Sequence, residues 1–301
     1  MPDRIPGTPP AEIAIDARLV RSLLREQHPD LAESTLRAID AGWDNAIFRL
    51  GDDLAVRLPR REVAAPLLLN EQRWLPALAD RLPIPVPTPV RIGVPGSGYP
   101  WHWSIVPWLR GRSAEQDAPG AAEARRLAEF LRALHAPAPR VAPRSTVRGV
   151  PLERRAHAVE QRLSRLREHV SPVGDQVVSA WRSALEAPAS DHDVWLHGDL
   201  HARNVLVHHG AIAGIIDWGD MTAGDPATDL ASIWMLLGDG AARREALACY
   251  GASEQLVRRA KGWAVLFGVL LLDTGLVDDP RHARIGAATL ARIAEDHDSY
   301  R

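Results

Sequence analysis

Residues 197–204 read His-Gly-Asp-Leu-His-Ala-Arg-Asn, so that Asp199 precedes Asn204 by five positions. A second acidic motif, Ile216-Asp217-Trp218-Gly219-Asp220, follows an apolar run. Phosphoryl transfer from a nucleoside triphosphate needs these group types. A carboxylate must orient an attacking hydroxyl and take its proton, and hard oxygen ligands must hold Mg²⁺ against the phosphates. Each residue alone is an ordinary turn or capping type; the ordered set, with both spacings, carries the reading. His197 and His201 flank Asp199 and offer a different chemistry, an H-x-D-x-H metal set of a hydrolase. The preferred alternative is that they support the loop structurally, His197 by hydrogen bonds and His201 by packing nearby.

The elements that must position these groups are legible in outline. Residues 15–27 have helical apolar spacing. Short strands are expected at Leu36–Ala41, Ala46–Leu50 and Leu54–Leu58, with Gly51-Asp52-Asp53 as a hairpin turn. A helix is expected over 62–81, with Pro66 in its first turn and Pro76 bending or shortening it. Further strands are expected at Thr88–Ile92 and Trp101–Val106. Beyond Gly111 helices dominate, at 121–135, 152–168 and 174–186 and from about 227 to 294. Short apolar runs at Val194–Leu196, Val205–Val207 and Ala211–Ile216 bracket the chemistry. A strand-rich first third followed by a helical remainder points to two lobes joined near 107–111.

The segment WLHGDLHARNVLV followed by GIIDWGDMTAGDPATDLA resembles the signature of the aminoglycoside phosphotransferase family, within a wider group that includes choline, homoserine and fructosamine kinases. Its first part also reproduces the H-x-D-x-x-x-x-N catalytic loop of protein kinases. The resemblance implies an α+β, two-lobed, protein-kinase-like fold. Residues 1–108 would form a small antiparallel-sheet N-lobe and 109–301 a larger, mainly helical C-lobe. It also implies ATP as usual donor, with GTP open, and Mg²⁺. Matched position by position, Asp199 is the base, Asn204 and Asp217 are the metal ligands, and Asp225 and Asp229 brace the segment.

On the nucleotide side there is no G-x-x-x-x-G-K-[ST] loop. Gly42-Trp43-Asp44-Asn45 stands where the family's phosphate-covering turn is expected, with Asn45 a nucleotide candidate. Arg57 in Ala55-Val56-Arg57 occupies the usual lysine position and would grip phosphates as a planar fork. Glu71 is its expected partner and Glu62 the alternative. Pro107, Trp108 and Leu109 resemble the interlobe hinge that reads adenine through backbone groups.

Composition narrows the setting. Cys249, expected as inert core, is the only cysteine and excludes an internal disulfide, which suits a reducing cytoplasm. The longest apolar run is too short for a bilayer. The chain from Glu186 onward carries 17 acidic and 10 basic residues, against 21 and 26 before it. That balance suits a nucleotide on one side and a cationic ligand on the other. The expected partners are a nucleotide and a hydroxylated small molecule, without nucleic acid or membrane, in a monomer or weak dimer. An aminoglycoside-like antibiotic is the leading acceptor; a sugar, an amino alcohol such as choline or a macrolide is the alternative. A catalytically silent nucleotide binder is the reading from another class. Asp220 and Asp273 are the candidate substrate contacts, with Asp278, Asp279, Glu295 and Asp296 as a further acidic wall.

Overall fold

The structure, a computed structural model, describes residues 10–41, 44–167, 173–277 and 279–298. The chain divides into two compact units between Arg110 and Gly111. In the first, α1 (Ala17–Gln27) starts where the Asp16 carboxylate accepts the Leu19 N–H at 2.8 Å. Strands β1 (Leu36–Ala41), β2 (Asn45–Leu50) and β3 (Leu54–Pro59) precede α2 (Ala65–Ala79), then β4 (Arg91–Gly93) and β5 (Trp103–Pro107). They form one antiparallel sheet in the order β1-β2-β3-β5-β4. Gly51, at φ +61°, closes the expected hairpin.

Strand alternation explains how this sheet presents a charged residue. Val56 and Leu58 join Phe48, Trp103 and the α1 residues Val20, Leu23 and Leu24 in one core cluster. Arg57, one position out of phase, points to the other face and meets α2. Three expectations need correction. The segment expected as a strand at Thr88–Ile92 pairs only over Arg91–Gly93, because Pro83, Pro85, Pro87 and Pro89 remove every second donor before it. The last strand begins at Trp103 rather than Trp101. The helix expected over 62–81 spans only Ala65–Ala79, with Pro76 inside it on an exposed position.

The second unit opens with β6 (Arg112–Ser113) and α3 (Ala124–Leu134), whose Leu127, Phe130, Leu131 and Leu134 are all fully buried. After α4 (Ala156–Arg167) and α5 (Asp175–Leu185) come β7 (Val194–Leu196), β8 (Val205–His208), β9 (Ala211–Ile215) and β10 (Thr222–Gly224). Two short sheets result, β10-β7 and β6-β8-β9, and β6 and β10 have no counterpart in the sequence reading. The chain ends with α6 (Ala227–Leu230), α7 (Ser232–Leu236), α8 (Gly240–Tyr250), α9 (Glu254–Gly275) and α10 (Pro280–Asp298). α9 is buried along most of its length and packs against α4, α5, α6 and α10. Cys249 on α8 is half-buried rather than core. No described helix is long and apolar enough to cross a membrane.

Candidate active site

β7 delivers the chain into the loop 197–204, and a buried carboxylate fixes its start. Asp229, on α6 and fully buried, accepts the His197 N–H at 2.7 Å and the Gly198 N–H at 2.9 Å. Gly198 adopts φ +85°, and a Cβ there would lie 2.4 Å from the Asp220 carbonyl oxygen. Glycine is required on both counts. The loop closes on itself through Asn204, whose Nδ2 donates to the Asp199 carbonyl at 2.9 Å and lies 3.4 Å from its carboxylate.

The second acidic motif is tied to the first. Ile216 N–H donates to the Asn204 carbonyl at 2.9 Å, and the His197 ring Nε2 reaches the Ile216 carbonyl at 3.0 Å. The His197 ring packs on Trp218 with centroids 4.8 Å apart. Asp217 then turns out in the left-handed region at φ +63°, on an exposed position. The two motifs thus meet within one unit, with Asp220 beside them.

The two histidines have their nitrogens engaged. His197 Nδ1 accepts the Asp199 N–H at 3.2 Å while Nε2–H donates to Ile216. His201 Nδ1 accepts the Arg203 N–H at 3.2 Å, which leaves Nε2–H facing the Asp199 carboxylate at 3.3 Å. His201 therefore touches the carboxylate rather than merely packing nearby, and this pattern suits loop support rather than a histidine metal set.

Arg148 also belongs to this site, and the sequence reading did not single it out. Its Nη2 lies 2.9 Å from an Asp199 carboxylate oxygen and 3.7 Å from Asp220, and its guanidinium sits over the Phe267 ring at 4.9 Å. Backbone bonds aim it. Ser145 Oγ accepts the Arg148 N–H at 3.1 Å, Ser145 N–H donates to Thr222 Oγ1 at 2.8 Å, and Asp225 N–H donates to the Gly149 carbonyl at 3.0 Å. Gly149, at φ +67°, presses against Gly224 so closely that a Cβ on it would lie 2.9 Å from the Gly224 Cα. Nothing in the Pro-rich stretch 136–151 signals this, since the partner strand β10 was itself invisible. Arg259 and His135 are further missed supports. Arg259 forks onto Asp225 at 2.7 and 3.3 Å, and His135 Nε2 lies 3.4 Å from Asp229.

Burial pushes the Asp199 carboxyl up, but His201, Arg148 and His197 outweigh it and hold the group well below the ordinary carboxylate range. Asp220 moves the other way: burial raises it, and Asp199 and Asp217 add to the rise against the pull of Arg148. An ionised Asp199 suits a group that orients a hydroxyl and takes its proton late in transfer.

The donor set fits Mg²⁺. Because Asn204 Nδ2 is committed to Asp199, its Oδ1 faces the other way, and no described residue donates to it. One amide oxygen and the Asp217 carboxylate suit a hard cation that keeps waters and phosphates for its remaining positions. No cluster of three or more His, Cys, Asp or Glu suited to a metal occurs among the described residues.

In the first unit Arg57 and Glu71 pair at 2.5 Å, the former 5% and the latter 0% exposed; the alternative Glu62 is not the partner. Asn45 Oδ1 is buried with no hydrogen-bond partner among the described residues. The Trp108 N–H donates to Asp53 O at 2.7 Å, and its ring carries the Arg49 guanidinium at 4.9 Å. Pro107 ends β5, and no described group accepts the Leu109 N–H. Gly42 and Trp43 lie outside the described residues.

Among the described residues, the carboxylates expected as an amine-binding wall are each paired with arginine. Asp273 is 3% exposed and held by Arg165 at 2.5 Å and Arg162 at 3.3 Å. Asp279 pairs with Arg203 at 3.2 Å, and Arg243 takes both Asp296 at 2.6 Å and Glu295 at 3.3 Å. No spacing along the chain signals these pairings; Asp278 lies outside the described residues.

A family model described as the phosphotransferase enzyme family matches residues 35–264. No curated protein matches the chain. Among solved structures, the GDP complex of aminoglycoside 2'-phosphotransferase-IIIa is similar at TM-score 0.67 and 19% identity, covering 94% of this chain and 99% of that one. Macrolide 2'-phosphotransferase MphH from Brachybacterium faecium, an apoenzyme, follows at 0.58 and 23%, with 91% and 97% covered. ADP-bound aminoglycoside phosphotransferase APH(2'')-Ib gives 0.57 and 18%, with 93% and 99% covered. At these identities the likeness shows the fold, the two-lobed α+β kinase-like one.

Proposed function

We propose, for a chain that belongs to the phosphotransferase enzyme family, that Asp199 is the base for transfer of the γ-phosphoryl group of ATP to a hydroxyl of a small molecule. The chain is a phosphotransferase with an alcohol acceptor. GTP stays open as donor, since both GDP and ADP occur in the similar structures. One observation carries the reading: Asn204 bonds to Asp199 while its carbonyl receives the Ile216 N–H, so base, amide and second acid are linked at one place.

The acceptor hydroxyl would sit at the Asp199 carboxylate. Its oxygen forms a bond to the γ-phosphorus, the bond from that phosphorus to the β–γ bridging oxygen breaks, and the proton passes to Asp199. Products are the phosphorylated alcohol and the nucleoside diphosphate. Asn204 and Asp217 would hold Mg²⁺, which neutralises phosphate charge when bound. Arg57, steadied by Glu71, is the cation for the nucleotide's phosphates, and Pro107, Trp108 and Leu109 with Asn45 are the remaining nucleotide contacts. The names of the similar structures support an antibiotic acceptor, aminoglycoside or macrolide. The paired state of Asp273, Asp279 and Asp296 speaks against a polycation.

Asp199→Asn should lower kcat by about 10³-fold or more and leave nucleotide affinity unchanged. Steady-state kinetics with calorimetric nucleotide binding checks this. Turnover near that of the parent protein would remove Asp199 from the mechanism.

A further inference from the structure

Arg203 lies in the loop beside Asn204, yet its side chain is spent outside the loop, on the start of α10. Its Nη1 donates to His282 Nε2 at 2.7 Å and to the Asp279 carboxylate at 3.2 Å. His282 turns its other nitrogen, Nδ1, toward the same carboxylate at 3.5 Å. A guanidinium has only donors to offer, so the imidazole must be neutral, protonated on Nδ1 and accepting on Nε2. Burial and the Arg203 charge favour that state, holding the ring below the ordinary histidine value against the pull of Asp279. Close helix packing fixes where His282 stands. Gly275 ends α9 so near to α10 that a Cβ on it would lie 2.2 Å from the Ala283 nitrogen. Asp279 fastens the turn between them: its carboxylate accepts the Arg281 N–H at 3.0 Å and its carbonyl the Ala283 N–H at 3.2 Å. From Arg203 the contacts run on to the base. The Arg203 N–H donates to His201 Nδ1, and His201 Nε2–H faces the Asp199 carboxylate. The His201 and His282 rings also stand edge to face, with centroids 6.3 Å apart.

We propose that His282 is a positioning residue for phosphoryl transfer: through Arg203 it holds residues 201–204 in the geometry that sets His201 against Asp199. The proposal rests on the phosphotransferase reading of Asp199. His282 touches no reacting group and acts only by accepting from Arg203. Of the two acceptors on that guanidinium it is the nearer, and a carboxylate alone would leave one N–H of the fork without its partner. The end of the chain thereby fastens a loop that lies nearly 80 residues earlier in sequence.

The test uses the full chain with MgATP, and consumption is read with water as acceptor so that acceptor preference does not enter. His282→Leu removes the accepting nitrogen and should lower kcat about tenfold while KM for MgATP stays within about twofold. His282→Gln offers an amide oxygen in place of Nε2 and should restore kcat to within about twofold of the parent value. Arg203→Met should match His282→Leu, and the double variant should be no slower than either single one. Two readouts need no turnover. Nitrogen NMR of the parent protein's histidine rings should show His282 protonated on Nδ1 and bare on Nε2. Amide hydrogen exchange should show protection of the Arg203 and Asn204 N–H groups falling about tenfold in His282→Leu and returning in His282→Gln. A proton on Nε2, unchanged protection in His282→Leu, additive losses in the double variant, or a His282→Gln variant as slow as His282→Leu would each overturn the assignment. Should His282→Leu fail to fold, Arg203→Met carries the same comparison with His282 intact. A parent protein that consumes no MgATP would count against the phosphotransferase reading, while the ring and exchange data still judge the hold of α10 on the loop.

Discussion

Two arginine–carboxylate pairs, one in each unit, differ in what holds them. Arg57 and Glu71 stand on a strand and a helix, both sealed, at 2.5 Å. Arg148 and Asp199 stand on loops at 2.9 Å, and their side chains keep 13% and 21% of their surface in solvent. The first pair is a closed device whose cost of desolvation must be met by its own geometry. The second is open, shares its cation with Asp220 and borrows its rigidity from backbone bonds to β10. A sealed pair bears on whether its unit stays folded; an open pair beside the proposed base bears on that group's charge.

Breaking the sealed pair should have the largest effect on stability. Glu71→Ala leaves Arg57 buried without this partner and should cost about 3–5 kcal/mol, read by chemical denaturation. A loss under about 1 kcal/mol would show that Arg57 finds water or another acceptor at little expense. A smaller but mixed effect is expected from Asp229→Asn. The amide replaces one of two acceptor oxygens facing the His197 and Gly198 N–H groups with a donor. The cost should be about 2–3 kcal/mol, with kcat down roughly a hundredfold as the loop start loses its hold. Unfolding and kinetics on the same variant check both, and an unchanged kcat would separate loop anchoring from catalysis.

What the sequence revealed follows the same division. Asp199, Asn204 and Asp217 were legible because a short loop and one strand hairpin bring them together, and spacing survives over such distances. Arg57 and Glu71 were legible because β3 and α2 are regular, so period and position coincide. Arg148 was not, because its aim depends on Gly149 against Gly224 and on Ser145 against Thr222, contacts made across more than 70 residues. Asp273 was misread for a related reason: its partners Arg162 and Arg165 lie on α4, over 100 residues earlier in the chain. Charge counted along a sequence cannot tell a paired carboxylate from an open one.

The open pair should show the smallest stability change and the most informative kinetics. Arg148→Gln removes a cation from a carboxylate that already reaches solvent, so stability near neutral pH should move by no more than about 1 kcal/mol. In the parent protein the folded-state value of Asp199 is depressed. Its contribution to stability is therefore complete above the unfolded-chain value and lost as pH falls through the folded one. Without Arg148 that value rises, though His201 and His197 still restrain it. Activity needs the ionised form, so the acid limb of kcat against pH should shift toward higher pH in the variant. An acid limb at the same pH in both proteins would mean that Arg148 does not set the charge of Asp199, and the two ion pairs would then differ only in exposure.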